Sequence, residues 1–433
     1  MLKVVFHTLG CKVNQYETEA MEELFENRGY QLVNENDYAD IYVINTCTVT
    51  NMSDRKSRQF IRKAKRINKD AIVAVVGCYS QVSPDEVEKI EDVDVIIGTS
   101  ERNKIVDLCE ESLLSKKRIN IVRPIKTYKE FEKIKTDQVR SKTRAFLKIQ
   151  DGCNQFCSYC IIPYARGPIR SRNFLDIEQE TRNLAEAGFK EIVLTGIHIA
   201  SYGKDLGGIK LIDVIDKISE IKGIERIRMS SVEPNLIDDE FMKRISVNKK
   251  VCDHFHLSLQ SGSDSVLSRM NRKYTTSEYK EKALLIKKYM PNVGLTTDII
   301  VGFPGETDEE FEETYNYVKE IGFSRIHIFK YSKRRGTPAA QMKDQINGEI
   351  KNYRSKRLIE LGNILALDFH NKFLQKKLSV LFEEKDKKNR NIYEGYTTNY
   401  IRSRVFSNCD IIGEIKDFKA EESNTLNLEG SLV

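Results

Sequence analysis

Residues 146–160 read FLKIQDGCNQFCSYC (Phe146–Cys160). Phe146–Gln150 has the apolar, β-rich character of a buried strand. It runs into a short loop with cysteines at 153, 157 and 160, a C-x3-C-x2-C spacing. Three thiolates on one loop can ligate three irons of a [4Fe–4S] cluster and leave the fourth iron open to a small molecule. Zinc is the competing reading. A structural zinc site wants four ligands, and no Cys or His lies close behind Cys160, although Cys252, His254 or His256 could supply one in space.

Downstream, strand and helix signals alternate. Strands are expected at Phe146–Gln150, Glu191–Thr195, Arg226–Ser230, His254–Leu259, Gly294–Val301 and Arg325–Lys330. Helices fit between them, at Asp176–Ala187, Leu211–Ile221, Asp238–Ile245, Ser277–Tyr289 and Asp308–Ile321, and a last one follows at about Glu349–Phe369. Six β/α units in order predict a parallel, incomplete (β/α)6 barrel with functional residues at the C-terminal ends of its strands.

Upstream, residues 1–114 also alternate, with strands at Lys3–Thr8, Ile41–Asn45, Ile72–Val76 and Val93–Ile97. Helical patterns cover Tyr16–Asn27 and a run from Ser53, read as an N-cap, to Ile67, with Phe60, Ile61, Ala64 and Ile67 on its buried face. This predicts an α/β fold with a flavodoxin-like open parallel sheet. Three strands run straight into cysteines: Leu9-Gly10-Cys11, Asn45-Thr46-Cys47 and Val76-Gly77-Cys78. Ligands of open α/β sheets bind at that edge, so the three thiols are candidates for one site; three unrelated buried cysteines are the plain alternative. After residue 371 come short strand-like segments at Leu378–Phe382, Ile392–Tyr396, Ser403–Phe406, Ile411–Ile415 and Leu426–Leu428, which suggest a small antiparallel β-barrel. The domains are thus drawn at 1–114, 146–370 and 371–433, with a basic linker or hairpin at 115–145.

A chain of 433 residues suits about three domains. No apolar run approaches the ~20 residues that span a bilayer. The N-terminus reads as a strand and not as a signal peptide, which points to the cytoplasm. Nine cysteines in a reducing compartment favour metal or redox chemistry over disulfides. Net charge is only +6, but it is clustered: residues 53–70 carry 8 basic and 2 acidic side chains, and residues 115–150 carry 12 and 3. Such blocks are the footprint of a polyanion partner, against the plain reading of a solvated helix face and a charged linker. The C-terminal 63 residues are balanced, 11 basic to 10 acidic, and give no such signal.

C-x3-C-x2-C after the first strand of a (β/α)6-like chain resembles the radical S-adenosylmethionine enzymes. An N-terminal α/β domain with three cysteines and a C-terminal barrel like the TRAM module narrow the resemblance to the methylthiotransferases, over essentially residues 1–433. Agreement extends to Tyr164-Ala165-Arg166-Gly167, Arg170-Ser171-Arg172, His256–Ser261 and Thr297–Glu306. The resemblance implies two [4Fe–4S] clusters, on Cys11, Cys47 and Cys78 and on Cys153, Cys157 and Cys160. It also implies S-adenosylmethionine as cofactor, one molecule methylating a sulfur and a second yielding a 5′-deoxyadenosyl radical. Cys109, Cys252 and Cys409 are left as structural. Tyr159 matches the aromatic residue near the adenine. Gly196, after Thr195, together with Ser231, Glu233, Gln260 and Gly302, stands at strand ends where the cofactor would lie; His198 reads as structural.

The stretch Thr8–Gln15 (TLGCKVNQ) is similar to the branch acting on N6-threonylcarbamoyladenosine, 3′ of the anticodon in tRNA, where the isopentenyladenosine branch tends to have Gln-Met after the cysteine. The implied reaction places a methylthio group on C2 of the adenine. No side-chain general base is expected, because an aromatic C–H is too weak an acid and the cofactor carries the hard step. Arg55, Arg58 and Arg62 of the basic helix, and Arg166, Arg170 and Arg172 behind the second cysteine loop, are expected to grip the anticodon stem-loop. An electron donor of flavodoxin or ferredoxin type is implied; neither a membrane nor DNA is expected as a partner. Two substrate alternatives remain, isopentenyladenosine tRNA and ribosomal protein S12. A non-enzymatic iron–sulfur RNA-binding protein is the alternative of another class.

Overall fold

The computed structural model describes residues 1–134 and 143–433. The expected linker at 115–145 therefore falls partly outside the described residues.

The first unit is a parallel sheet of β1 (Lys3–Thr8), β2 (Gln31–Leu32), β3 (Ile41–Thr46), β4 (Ile72–Gly77), β5 (Val95–Ile96) and β6 (Ile119–Asn120), in the order β2-β1-β3-β4-β5-β6. The four expected strands are its middle; β2 and β6 are two-residue edges, too short to show a period. β6 lies beyond residue 114, so the sheet reaches into the stretch read as linker. β3 and β4 are buried throughout, as strands covered on both faces must be. Ile41 and Val43 join one core, Tyr42 and Ile44 the other. The helices that bear on the site are α1 (Lys12–Asn27), α2 (Asn51–Ile67) and α3 (Cys78–Val82). α2 is capped by Thr50, whose side chain accepts from the Ser53 N–H, and not by Ser53. Its buried stripe is Asp54, Ser57, Ile61 and Ala64. Phe60 and Ile67 are only half-buried against that core, and in the first turn Asp54 pairs with Arg334.

The second unit holds β7 (Arg144–Asp151), β8 (Arg170–Ser171), β9 (Glu191–Gly196), β10 (Arg226–Met229), β11 (His254–His256), β12 (Gly294–Val301) and β13 (Arg325–Lys330). They run β8-β7-β9-β10 and β11-β12-β13, joined by parallel bridges at Ile227–Val251 and Val232–Leu257. All six expected strands are present and parallel; β8 is an added antiparallel edge on β7. Alternate residues such as Leu147, Leu194, Phe255 and Leu295 pack outward on the helices. The concave face therefore carries Arg144, Lys148, Glu191, Arg228, His256 and Asp298. The barrel does not close. α1 of the first unit lies against its concave side, with Tyr16 packed on Phe146 and Val193.

The third unit is a closed barrel, β14 (Lys377–Lys385), β15 (Ile392–Thr397), β16 (Arg402–Phe406), β17 (Ile415–Ser423) and β18 (Leu428–Leu432), in the order β14-β15-β16-β18-β17. The expected strand at Ile411–Ile415 begins only at Ile415. The barrel is not wholly antiparallel, since β16 and β18 pair in parallel. A ring of an odd number of strands cannot alternate direction all the way round, so one parallel pair is forced. The turn after β15 closes the floor of the second unit. Arg228 donates to the Thr397 and Thr398 carbonyls at 3.1 and 3.0 Å, and its guanidinium lies 4.6 Å over the Tyr400 ring.

Candidate active site

Cys11, Cys47 and Cys78 follow β1, β3 and β4, three neighbours in the sheet. Two glycines make this convergence possible. Gly10 has φ +113°, and a Cβ there would lie 2.8 Å from the Cys47 Cβ. Gly77 has φ +100°, and a Cβ would lie 2.7 Å from Asn45 Oδ1 and from the Thr46 carbonyl oxygen. Asn14 ties the loops together, its Nδ2 donating to the Leu9 and Thr46 carbonyls at 2.7 and 3.0 Å. Burial pushes the Cys78 thiol up to about 12; Arg166 opposes this and the nearby Cys47 and Cys11 add to it.

The second triad sits on the loop after β7. The Cys153 N–H donates to the Gly167 carbonyl and the Cys160 N–H to the Cys157 carbonyl, both at 3.0 Å. Residues 269–272 clamp the loop: Ser158 N–H donates to the Met270 carbonyl at 2.9 Å, and Arg272 Nη1 donates to Cys157 Sγ at 3.3 Å. Arg272 also pairs with Glu233 at 2.9 Å, and Glu233 with His198 at 3.2 Å. Burial raises Cys153 to about 11 and Cys160 to about 12. Metal binding must displace these protons.

The sulfurs separate the two metal readings. Among the described residues, neither triad has its three sulfurs mutually within 4.8 Å. One zinc ion with bonds of about 2.3 Å reaches sulfurs no more than ~4.6 Å apart. A cluster spreads its ligands over separate irons, and the sulfur spacing of the second triad suits that arrangement. Among the described residues, the candidates for zinc's fourth ligand are engaged elsewhere. Cys252 is buried beside Arg228 and Glu191, and His254 and His256 are bonded to Thr296.

A buried ion network joins the two triads. Glu17 of α1 accepts from Arg102 at 2.8 Å, Lys148 at 2.6 Å and Arg166 at 2.6 Å. Asp151, two residues before Cys153, accepts from Lys148 at 2.7 Å and Arg166 at 3.2 Å. Arg166 Nη2 also donates to Asn14 Oδ1 at 2.7 Å. Burial alone would raise Glu17, but the three cations hold it down at about 2. This overturns one expectation. Arg166, Arg170 and Arg172 are 0, 2 and 3% exposed. Arg170 donates to the Arg166 carbonyl, and Arg172 pairs with Glu180. They lock the loop between the units and cannot meet a polyanion, because each guanidinium has traded water for a carboxylate or carbonyl. Arg55 and Arg62 are exposed on α2; Arg58 is half-buried and donates to the Tyr79 hydroxyl at 3.0 Å.

A cavity of about 240 Å³ lies where the units meet, lined by Val49 and Thr50 from the Cys47 loop and by Tyr159, Cys160, Gln260 and Asp298 from the barrel. Arg334 fixes this junction by donating to Thr48 Oγ1 at 2.5 Å and Asp54 at 2.6 Å. A second cavity, about 440 Å³, is lined by Gln155, His198, Lys210 and Glu233. Of the expected cofactor contacts, Tyr159, Gln260 and Glu233 line these spaces. Gly196 ends β9, Ser231 is exposed beyond β10, and neither lines either cavity. Gly302 is turned to other work: its N–H donates to Glu306 at 2.6 Å, and Lys351 covers the place of a Cβ. Cys109 and Cys252 are buried and Cys409 is exposed. Sequence reasoning missed Asn14, Glu17, Asp151, Arg272 and Arg334. Only Asp151, next to the cysteine loop, carried any local signal.

A strand ending in C-x3-C-x2-C, set in an open barrel of β/α units, defines the class: a radical S-adenosylmethionine enzyme. Residues 147–318 match the Radical SAM superfamily, and residues 3–98 match Uncharacterized protein family UPF0004. The chain is 44% identical to the threonylcarbamoyladenosine tRNA methylthiotransferase MtaB of Bacillus subtilis, over 100% of this chain and 97% of that one. It is 36% identical to the tRNA-2-methylthio-N(6)-dimethylallyladenosine synthase of Clostridium tetani, over 98% and 95%. Among solved structures, the radical S-adenosylmethionine methyltransferase TsrM of Kitasatospora setae superposes with TM-score 0.59 at 14% identity, over 78% of this chain and 77% of that one, a likeness of fold. The chain belongs to the radical S-adenosylmethionine methylthiotransferase family. Membership implies S-adenosylmethionine and a [4Fe–4S] cluster. Among the described residues no helix is long and apolar enough to cross a membrane.

Proposed function

We propose that the chain methylthiolates C2 of N6-threonylcarbamoyladenosine beside the anticodon of tRNA, in the cytoplasm. The observation that carries this reading is the cavity lined both by Val49 and Thr50, just past Cys47, and by Cys160. In this reading Cys153, Cys157 and Cys160 hold the cluster that binds S-adenosylmethionine, and Cys11, Cys47 and Cys78 hold a second. Bound together, these groups supply one-electron chemistry and a sulfur, which an aromatic C–H requires and side-chain acid–base catalysis cannot provide.

The chain's own part is placement. Glu17, Asp151 and Arg166 set the distance between the triads, and Arg272 orients Cys157. Tyr159 and Gln260 flank the cavity, while Glu233, Gly196 and Ser231 stand where the rest of the cofactor would extend. In the cavity lining, Val49 and Phe329 are exposed. Apolar and aromatic groups in such a lining suit unstacked bases. Arg55, Arg62 and part of Arg58 lie on the helix leaving the Cys47 loop and supply phosphate contacts. The C-terminal barrel serves as the TRAM-like RNA-binding unit, and reduction comes from a flavodoxin- or ferredoxin-type donor.

The test is nucleoside mass spectrometry of tRNA from a host that lacks its own enzyme of this branch and expresses this chain. The expected product is 2-methylthio-N6-threonylcarbamoyladenosine. Its absence, with S-adenosylmethionine still cleaved by the iron-replete protein, overturns the substrate.

A further inference from the structure

The guanidinium of Arg272 stands against the C-x3-C-x2-C loop, and the fold fixes the two relative to each other. Arg272 follows the short helix Asp264–Arg269. Ser158 Oγ donates to the Arg269 carbonyl at 2.8 Å, and Asn271 Nδ2 donates to the Phe156 carbonyl at 2.9 Å. With the Ser158 N–H on the Met270 carbonyl, the loop is held at three points on either side of Cys157. The guanidinium itself is placed by groups that are not cysteines. Its Nε donates to the Tyr274 hydroxyl at 3.0 Å, and its Nη2 pairs with Glu233 at 2.9 Å. Tyr274 is locked in turn, its hydroxyl lying 2.7 and 2.8 Å from the Ser258 and Leu259 carbonyl oxygens.

The three sulfurs of this triad are not equivalent. Cys153 and Cys160 accept from backbone N–H groups, those of Gln155 and Ile162. Cys157 accepts from a full positive charge, Arg272 Nη1 at 3.3 Å; among the described residues no other sulfur of the two triads does so. The Arg272 side chain is 5% exposed, so water screens its charge little. A guanidinium keeps its proton at any working pH, so the charge is permanent. Glu233 offsets part of it and is itself tied to His198 at 3.2 Å. A reduced [4Fe–4S] cluster carries one negative charge more than the oxidised one. Net charge nearby and hydrogen bonds to the sulfurs therefore shift its potential.

We propose that Arg272 tunes the reduction potential of the S-adenosylmethionine cluster: its fixed charge and its N–H···S bond to Cys157 favour the reduced cluster, and Glu233 trims that effect. This rests on the reading that Cys153, Cys157 and Cys160 hold that cluster. Arg272 acts through Cys157 and is a positioning residue. One electron enters the cluster from the flavodoxin- or ferredoxin-type donor. No bond breaks and no proton moves, because the guanidinium is charged before and after. The pair has a signature in sign. Loss of Arg272 removes the cation and leaves Glu233 uncompensated, so the potential falls. Loss of the Glu233 charge leaves the cation uncompensated, so the potential rises. A residue that only clamped the loop gives no such reversal.

The test is a redox titration of the reconstituted holoenzyme with dithionite and mediator dyes. Electron paramagnetic resonance follows the cluster signal that, in a parallel sample, changes when S-adenosylmethionine is added. Arg272→Met should lower the ratio of reduced to oxidised cluster at a fixed potential about tenfold, the worth of one charge-assisted hydrogen bond. For one electron that is a midpoint ~59 mV more negative. Arg272→Lys keeps the charge and should recover part of the shift; no recovery overturns the charge as its cause. Glu233→Gln should move the midpoint the opposite way. An unchanged midpoint in Arg272→Met, or a downward shift in both Arg272→Met and Glu233→Gln, overturns the assignment. If Arg272→Met retains no iron, Glu233→Gln decides alone: a raised midpoint supports the assignment, and an unchanged or lowered one overturns it. A wild-type signal that responds to S-adenosylmethionine but whose midpoint ignores both substitutions defeats Arg272 alone. If no wild-type signal responds, the reading of the triad falls with it.

Discussion

Replacing Glu17 by Gln tests whether the ion network docks the first unit onto the barrel. The carboxylate is fully buried and accepts from Arg102, Lys148 and Arg166. Its pKa lies at about 2 in the fold against an ordinary 4.5. At about 1.4 kcal/mol per unit, that difference is ~3 kcal/mol of stability. Breaking a buried pair from one side costs ~3–5 kcal/mol by experience with other proteins, so the two routes agree. The sign follows from the depressed pKa. The contribution is complete above the unfolded value of 4.5 and is lost as pH falls through 2. Glu17→Gln should therefore lose ~3 kcal/mol at neutral pH and draw level with wild type in acid. The chain has no tryptophan, so urea unfolding is best followed by far-ultraviolet circular dichroism, with hydrogen exchange of the α1 amides reporting the docking itself. A variant within about 1 kcal/mol of wild type at neutral pH, or unchanged exchange in α1, would refute the network as the clamp.

Other outcomes follow from the same geometry. Gly10→Ala forces a Cβ to 2.8 Å from Cys47 at φ +113°; on the proposed reading, iron content should fall by about half while S-adenosylmethionine cleavage persists. Replacement of any one of Cys11, Cys47, Cys78, Cys153, Cys157 or Cys160 by Ala should abolish methylthiolated nucleoside in mass spectrometry; near-normal product from any of these variants would sink the two-cluster reading. Arg55→Glu with Arg62→Glu should weaken stem-loop binding and flatten its dependence on log salt by roughly one for each phosphate left unneutralised. Arg170→Met should instead lower stability and leave that slope alone.

The sequence by itself determined what is local. Cysteines four and three residues apart on one loop, and cysteines one residue or a short loop past three apolar strands, need no tertiary knowledge to be read. The alternation of β-branched runs with helical stripes likewise marked the order of the units, because burial on both faces is written into each strand. Partnership at a distance was another matter. Arg166, Arg170 and Arg172 looked like an RNA grip, since a charge count cannot see Glu17, 149 residues away from Arg166. The parallel β16–β18 pair followed from closing an odd ring, a constraint no single strand carries. That Glu17 gathers Arg102, Lys148 and Arg166 could be decided only by the packed structure, because whether a buried charge is satisfied depends on which distant groups the fold brings within bonding distance.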